Sequence, residues 1–178
     1  PFDLLFWNSD STRMPYAMHS FYLRNMYMKN LLKEPGGVTL AGVPIDLSKI
    51  KVPCYFISTI EDHIAPWKST YLGAKIVSGP VRFVLGGSGH IAGVVNPPAA
   101  NKYGYWVSSA KELAETSEEW LAGAQQQPGS WWTDWQAWVT QLEDAKVPAR
   151  DPAKGKFKPI EDAPGSYAKF RLDQQKKK

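Results

Sequence analysis

Val52-Pro-Cys-Tyr-Phe-Ile-Ser-Thr-Ile-Glu-Asp62-His-Ile-Ala-Pro-Trp67, followed further on by Arg82-Phe-Val-Leu-Gly-Gly-Ser-Gly-His90, decides how this chain folds. Val52 to Thr59 is a run of strand formers too apolar to be half exposed, so it reads as a central strand of a parallel sheet. Trp67 to Val77 has helical spacing, Arg82 to Leu85 is a second short strand, and Gly86-Gly87-Ser88-Gly89 turns the backbone sharply. Strand, helix and strand in so short a stretch form a βαβ unit, which imposes a parallel pair and a crossover. In open parallel sheets chemistry gathers beyond the carboxyl ends of the strands. Asp62 and His90 both fall there.

Outward from this unit the pattern loosens. Residues 1–12 begin apolar and turn polar at Asn8. Pro15 opens a helical run from about Tyr16 to Lys33 whose apolar residues, among them Met18, Phe21, Leu23, Met26 and Leu31, cover more than half its circumference. Such a helix is expected either to be covered on two sides or to face a partner or an apolar substrate. Glu34-Pro-Gly-Gly37 stops it, and residues 38–51 read as a hairpin-like connection. Beyond Pro98, helices are expected at Ser117 to Gln126 and Trp131 to Leu142. The second places Trp131, Trp135, Trp138 and Leu142 on one stripe, either core packing against the sheet or an aromatic platform for substrate. From Pro148 onward, prolines and lysines make an extended tail. The expected divisions are residues 1–36, 37–147 and 148–178.

The 178 residues are enough for one domain, and 43% apolar with 13% aromatic content is globular. The formal net charge is +4, but all the excess lies in residues 151–178, which carry eight Lys and Arg against four Asp and Glu. A basic end of this kind is a solvated tail or a contact for an anionic surface, and it argues against a nucleic-acid binder. No apolar run reaches the ~18 residues of a membrane span. The single cysteine excludes an internal disulfide and suits a reducing cytoplasm. The first residue is Pro and no leader pattern follows it, so the natural start is expected upstream.

Histidine takes a proton from a thiol or hydroxyl when a carboxylate fixes its tautomer. Asp62 and His90 have the types and the order of the second half of a nucleophile, acid, histidine triad, as in an α/β-hydrolase-like sheet. The nucleophile's glycine elbow, Gly-x-Ser/Cys-x-Gly, occurs nowhere in the chain. The residues alone leave a second reading open, in which Asp62 caps the helix starting near Pro66 and His90 is a hydrogen-bonded core histidine. Cys54 lies inside a strand with no helix N-terminus behind it, so it reads as a buried structural thiol rather than a nucleophile. His63 adjoins Asp62 and points elsewhere, in a supporting or surface role. Asp10 either forms a turn or projects into the pocket. His19, His63 and His90 have no metal-ligand spacing, and no metal is expected.

Several segments together resemble one family. Phe2-Asp-Leu-Leu-Phe-Trp-Asn8-Ser-Asp10-Ser-Thr12, Tyr22-Leu23-Arg24, Gly42-Val-Pro-Ile-Asp46, Glu61-Asp-His-Ile-Ala-Pro-Trp67, Gly89-His-Ile-Ala-Gly-Val-Val-Asn-Pro-Pro98 and Gly129-Ser-Trp-Trp-Thr-Asp-Trp135 are similar to the C-terminal portion of class I polyhydroxyalkanoate synthases. The resemblance runs from Phe2 to about Trp138. It implies an α/β fold, the C-terminal half of an α/β-hydrolase-like core with a parallel sheet flanked by helices, with residues 1–36 the end of a cap. It implies an acyltransferase that polymerises short (R)-3-hydroxyacyl-CoA units, such as 3-hydroxybutyryl-CoA, and releases CoA. The nucleophilic cysteine would lie upstream, leaving the chain inactive alone. His90 would activate that cysteine, and Asp62 would support His90 and help deprotonate the 3-hydroxyl of the incoming unit, with Asp10, Asn8 and His63 as candidate helpers. No cofactor is implied, coenzyme A being part of substrate and product. Implied partners are the growing polyester, a second copy in the full-length enzyme and the polyester granule surface in the cytoplasm. An esterase, lipase or polyester depolymerase on the same fold, and a noncatalytic granule-binding or dimerising module, are the competing readings.

Overall fold

The computed structural model describes residue 11, residues 13–163 and residues 165 and 166. The chain divides into two units, Ser20–Asp144 and a second composed of Pro1–His19 with Ala145–Lys178. In the second, Asp151 Oδ1 accepts from Ala153 N at 3.0 Å and starts a single 3-10 turn, Pro152–Lys154. Beyond this turn the described tail is irregular and exposed, with Phe157 and Ile160 open to solvent.

The long helix expected over Tyr16 to Lys33 is broken. Helix α1 (Tyr16–Tyr22) passes into a wider π turn at Leu23–Met28, where Lys29 N reaches back five residues to Arg24 O at 3.1 Å. Asn30 then adopts a left-handed conformation (φ 48°), and Leu31–Lys33 is a 3-10 turn. Asparagine tolerates that conformation because its short polar side chain bonds locally, so the stop precedes the Pro-Gly-Gly signal. No residue of α1 or of the π turn is buried.

Strands β1 (Val38–Leu40) and β2 (Val43–Ile45) form the anticipated hairpin, with Val38 opposite Ile45. Its two-residue loop, Ala41-Gly42, has φ of 48° and 79°. Positive φ at both positions is the turn whose twist matches paired strands.

Strand β3 (Cys54–Thr59), helix α2 (Trp67–Ala74) and strand β4 (Val81–Gly86) realise the βαβ unit, parallel from Cys54↔Val81 to Thr59↔Gly86. The rest of the sheet departs from the expected parallel layer. The chain returns through the short helix α3 (Ala92–Val95) into β5 (Tyr105–Val107), antiparallel to β4. Helix α4 (Ser117–Gly123) ends three residues before the expected Gln126, because Gln125–Gln127 is strand β6, antiparallel to β5. The sheet is mixed, in the order β3-β4-β5-β6. Among the described residues β3 is therefore an edge strand, not a central one.

Alternation along the strands builds two cores. Phe83 and Leu85 face α2 and α4, packing with Trp67, Tyr71, Ala74 and Trp120. Val84 points the other way, with Tyr105 and Trp131, beside Tyr55, Ile57 and Trp135. Helix α5 (Trp132–Leu142) belongs to this second layer, so the sheet is covered on both faces. Tyr71, Phe83 and Trp120 meet edge to face at 5.0 to 5.1 Å, Phe83 at the centre, a geometry that adds to the area they bury. A capping box starts α4, with Glu119 N on Thr116 Oγ1 at 3.1 Å and Thr116 N on Glu119 Oε2 at 3.0 Å.

The tryptophan stripe serves as packing. Trp131 and Trp138 both lie against Tyr55, at 6.1 and 5.3 Å between ring centres, while Leu142 at its end is exposed.

Candidate active site

Asp62 follows β3 directly. The two strand ends stay paired past the ladder, through Ile60 N to Gly86 O at 2.9 Å and Glu61 N to Ser88 O at 3.0 Å. The Asp62 carboxylate divides its work. Oδ1 accepts from Ile64 N at 2.9 Å and Ala65 N at 2.8 Å, closing the turn before α2. Oδ2 stands 2.8 Å from His90 Nδ1. The helix itself begins at Trp67, its N-cap Pro66 having no side-chain hydrogen bond, so Asp62 organises the turn ahead of α2 and does not cap the helix. Neither half of the second reading left open by the sequence holds: Asp62 makes a turn rather than a helix cap, and His90 is an exposed histidine rather than a core one.

After β4 the chain passes Gly87, Ser88 at φ 69° and Gly89 before reaching His90. A Cβ on Gly87 would stand 2.5 Å from Tyr103 O, so only glycine leaves room for that carbonyl against the strand end.

Asp62 is 7% exposed at its side chain and His90 44%. The N–H of Ala65 is the largest influence holding the Asp62 carboxyl below the usual carboxylate range. Partial burial opposes it, and the bonds from His90 and Ile64 assist. An ionised carboxylate only accepts hydrogen bonds, so Nδ1 of a neutral His90 carries the proton and Nε2 keeps the lone pair. No described residue hydrogen-bonds Nε2. The ring is thereby oriented as a base with one free nitrogen.

His63, next in sequence to Asp62, is exposed and takes no part in this pair. Asn8 and Asp10 lie outside the described residues. Cys54 is half-buried rather than buried, and its Sγ is 3.4 Å from Val52 O. It opens β3 while Asp62 follows the strand's end. Five steps of about 3.3 Å put roughly 17 Å between the two ends of that strand, too far for Cys54 to serve His90. Among the described residues no cluster of three His, Cys, Asp or Glu gathers to hold a metal, and no helix is long and apolar enough to cross a membrane.

One charged cluster escaped the sequence reading. Asp134, in the first turn of α5, takes Arg82 Nε at 2.8 Å and Tyr55 OH at 2.9 Å, and also Arg82 Nη2. Tyr55 and Arg82 are cross-strand partners on β3 and β4, so a single carboxylate ties both strands to α5. Burial, with Asp134 adding, pushes the Tyr55 hydroxyl pKa well up, which keeps it a neutral donor. The only signal available beforehand was an acid at the start of a helix, which is also the ordinary choice there.

The geometry defines a class first, the carboxylate-supported histidine placed at paired strand ends of a layered α/β sheet. Comparison with known proteins narrows it. No protein-family model matches the chain. It is 54% identical over 171 residues to the poly(3-hydroxyalkanoate) polymerase subunit PhaC of Rhizobium meliloti, covering 96% of this chain and 27% of that protein. Against the PhaC subunit of Cupriavidus necator it is 48% identical over 172 residues, 96% of this chain and 29% of the other. The poly(3-hydroxyalkanoate) polymerase of Methylorubrum extorquens is 46% identical over 171 residues, with 96% and 28% covered. The chain is therefore homologous, over nearly its whole length, to part of the poly(3-hydroxyalkanoate) polymerases, and spans little more than a quarter of these relatives.

Proposed function

We propose that this chain supplies the acid and the base of a Cys-His-Asp triad in an acyltransferase that polymerises (R)-3-hydroxyacyl-CoA, the cysteine being contributed by polypeptide outside this sequence. The supporting observation is the 2.8 Å contact of Asp62 Oδ2 with His90 Nδ1 at adjacent parallel strand ends. Homology to proteins named poly(3-hydroxyalkanoate) polymerase supplies the substrate class. On this reading the sheet is the C-terminal part of an α/β-hydrolase-like core, and residues 1–36 end a cap over it.

The steps follow from the pair. His90 Nε2 takes the thiol proton, and Asp62 stabilises the imidazolium that results. The thiolate attacks the thioester carbonyl, the acyl group passes to the cysteine, and the CoA thiolate departs with the proton from His90. His90 is then free again to take the proton of a 3-hydroxyl, whose oxygen attacks the enzyme-bound thioester. One ester bond forms and one cysteine thioester breaks, the cysteine sulfur leaving with the proton that His90 had taken. A thioester exchanging with a thiolate is nearly balanced in energy, which suits a chain that must be passed on repeatedly. The growing polyester, the granule surface in the cytoplasm and a second copy of the enzyme are the partners this reading implies, with no resident cofactor.

The test is CoA release from (R)-3-hydroxybutyryl-CoA by the full-length polymerase containing this sequence. His90→Ala should lower the rate by roughly 10³-fold or more, the scale of losing a triad base. A His90→Ala enzyme turning over at the parent rate would overturn the assignment. So would release of free 3-hydroxyacid in place of polymer, which is the outcome expected of an esterase.

A further inference from the structure

We propose that Ser130, Trp131 and Trp132 form a clamp that positions the His90 imidazole by holding the carbonyls of the short helix after it. The proposal rests on the role of His90 given above.

From Gly89 onward the backbone winds as helical turns. Gly93 N donates to Gly89 O at 3.0 Å, Val95 N to Ile91 O at 2.9 Å and Asn96 N to Ala92 O at 3.1 Å. His90 lies inside the Gly89–Gly93 turn that leads into α3, four residues ahead of Val94. A helix ends in carbonyls with no partner inside it, and in a helix as short as α3 that is most of them. The 130–132 segment supplies the missing donors. Trp131 Nε1 and Trp132 Nε1 both donate to Val94 O, at 3.0 and 3.1 Å. Ser130 Oγ donates to Asn96 O at 2.6 Å.

These donors are themselves held. Ser130 is 3% and Trp131 7% exposed. Ser130 Oγ accepts from Trp132 N at 3.2 Å, and Ser130 O accepts from Thr133 Oγ1 at 3.0 Å. The opposite side of α3 is equally tight, for a Cβ on Gly93 would stand 2.3 Å from Gly87 O and 2.5 Å from Thr59 Cγ2. The imidazole is nearly half exposed and Asp62 is its one bonded side-chain partner among the described residues. Its position must therefore be carried by the backbone beneath it.

Core packing alone accounts for Trp131 but not for Trp132. Trp132 is 39% exposed and so gains less from burial, yet its indole duplicates the donation of its neighbour to a single oxygen. A doubly bonded carbonyl is what a backbone anchor requires.

The experiment uses the full-length polymerase with Trp131→Phe, Trp132→Phe and both together, since phenylalanine keeps an aromatic ring and removes the N–H. Each single variant should lose no more than about threefold in kcat, because the other indole still holds Val94 O. The double variant should lose on the order of 10- to 100-fold in kcat, the cost of displacing a catalytic group by an ångström or so, with KM within about twofold. In ¹⁵N-histidine-labelled protein, the low-field Nδ1–H resonance that reports the bond to Asp62 should persist in the single variants and broaden or vanish in the double one. A double variant that melts earlier but keeps parent kcat and this resonance would reduce the pair to packing and end the proposal. His90→Ala is assayed beside it. If His90→Ala is dead while the double variant is normal, the clamp alone fails; if His90→Ala is fully active, the reading beneath the clamp fails. Should the double variant not fold, Ser130→Ala, which removes only the bond to Asn96 O and the link to Trp132 N, is expected to lower kcat severalfold at unchanged KM, and an unchanged kcat there overturns the clamp.

Discussion

Asp62→Asn separates the two duties of one carboxylate. In the parent, Oδ1 takes the Ile64 and Ala65 amides and Oδ2 holds His90 Nδ1. An asparagine amide oxygen can go on accepting both amides, so the turn before α2 survives. The amide nitrogen then faces Nδ1, and a donor cannot bond a donor. The ring relieves the conflict by shifting its proton to Nε2, where on the proposed role the lone pair that takes the nucleophile's proton had been. The structure thus predicts a variant that folds normally and fails chemically, with kcat down roughly 10³- to 10⁴-fold. CoA release by the full-length polymerase gives the rate, and thermal melting alongside gives the fold. Asp62→Ala should also lower the melting temperature, because it loses the turn as well as the histidine. In a His90→Ala background Asp62→Asn should cost nothing further, since the two act as one unit. An Asp62→Asn enzyme within tenfold of the parent rate, or one whose loss is undiminished without His90, would show that the carboxylate does not act through the histidine.

The remaining expectations concern pH, packing and the hairpin. The Asp62 carboxyl lies below its ordinary value, so the stabilisation it provides is fully present above the unfolded aspartate value of about 3.9 and is lost as pH falls through the lower folded value. Its ¹³C carboxyl shift should accordingly keep the value of an ionised carboxylate between about pH 5 and 8, and a move to the protonated value in that window would count against the described bonds. Gly93→Ala drives a Cβ into Gly87 O and Thr59; it should destabilise by about 1–3 kcal/mol in chemical unfolding and lower kcat by moving α3. Asp134→Ala strands the Arg82 guanidinium and the Tyr55 hydroxyl, and because Arg82 remains 31% exposed the loss should be about 2 kcal/mol. Replacing Arg82 and Asp134 together by Met and Leu should cost less than Asp134→Ala alone. Ala41→Asn, at a left-handed turn position, should raise stability by a few tenths to about 1 kcal/mol; a lower melting point would contradict the assigned turn.

What could be read from residue order and what could not differ for a physical reason. The βαβ unit was legible because its signals are local: an apolar β run, helical spacing, then glycines. Asp62 and His90 were legible as a pair because both follow such strands. The antiparallel half of the sheet was not, since Tyr105–Val107 and Gln125–Gln127 are three-residue strands held by main-chain pairing, and glutamines carry no strand preference. The break at Asn30 was hidden by the even apolar cover of its helix. The anchors on Val94 O and the Arg82, Tyr55 and Asp134 cluster bring together residues 38 and 79 positions apart at their widest, and no local pattern encodes such meetings.

The outer edge of β3 tests the larger fold. Cys54 N donates to Pro80 O and Ile60 N to Gly86 O, both toward β4. Successive peptide groups along a strand alternate in direction, so the amides of Phe56 and Ser58 also face β4, while those of Tyr55 and Ile57 face the other edge, which pairs with no strand among the described residues. A strand this apolar with such an edge is a site for further pairing, and an α/β-hydrolase-like core would place another strand there. In the full-length polymerase, hydrogen exchange should then find Tyr55 and Ile57 amides protected to the same degree as Phe56 and Ser58. If Tyr55 and Ile57 exchange as freely as loop amides while their neighbours stay protected, β3 is an edge in the whole protein too. The acid and the histidine would still meet, because their geometry is internal to the β3–β4 pair, but the nucleophile could not arrive on a strand beside them and the hydrolase-like core would have to be abandoned.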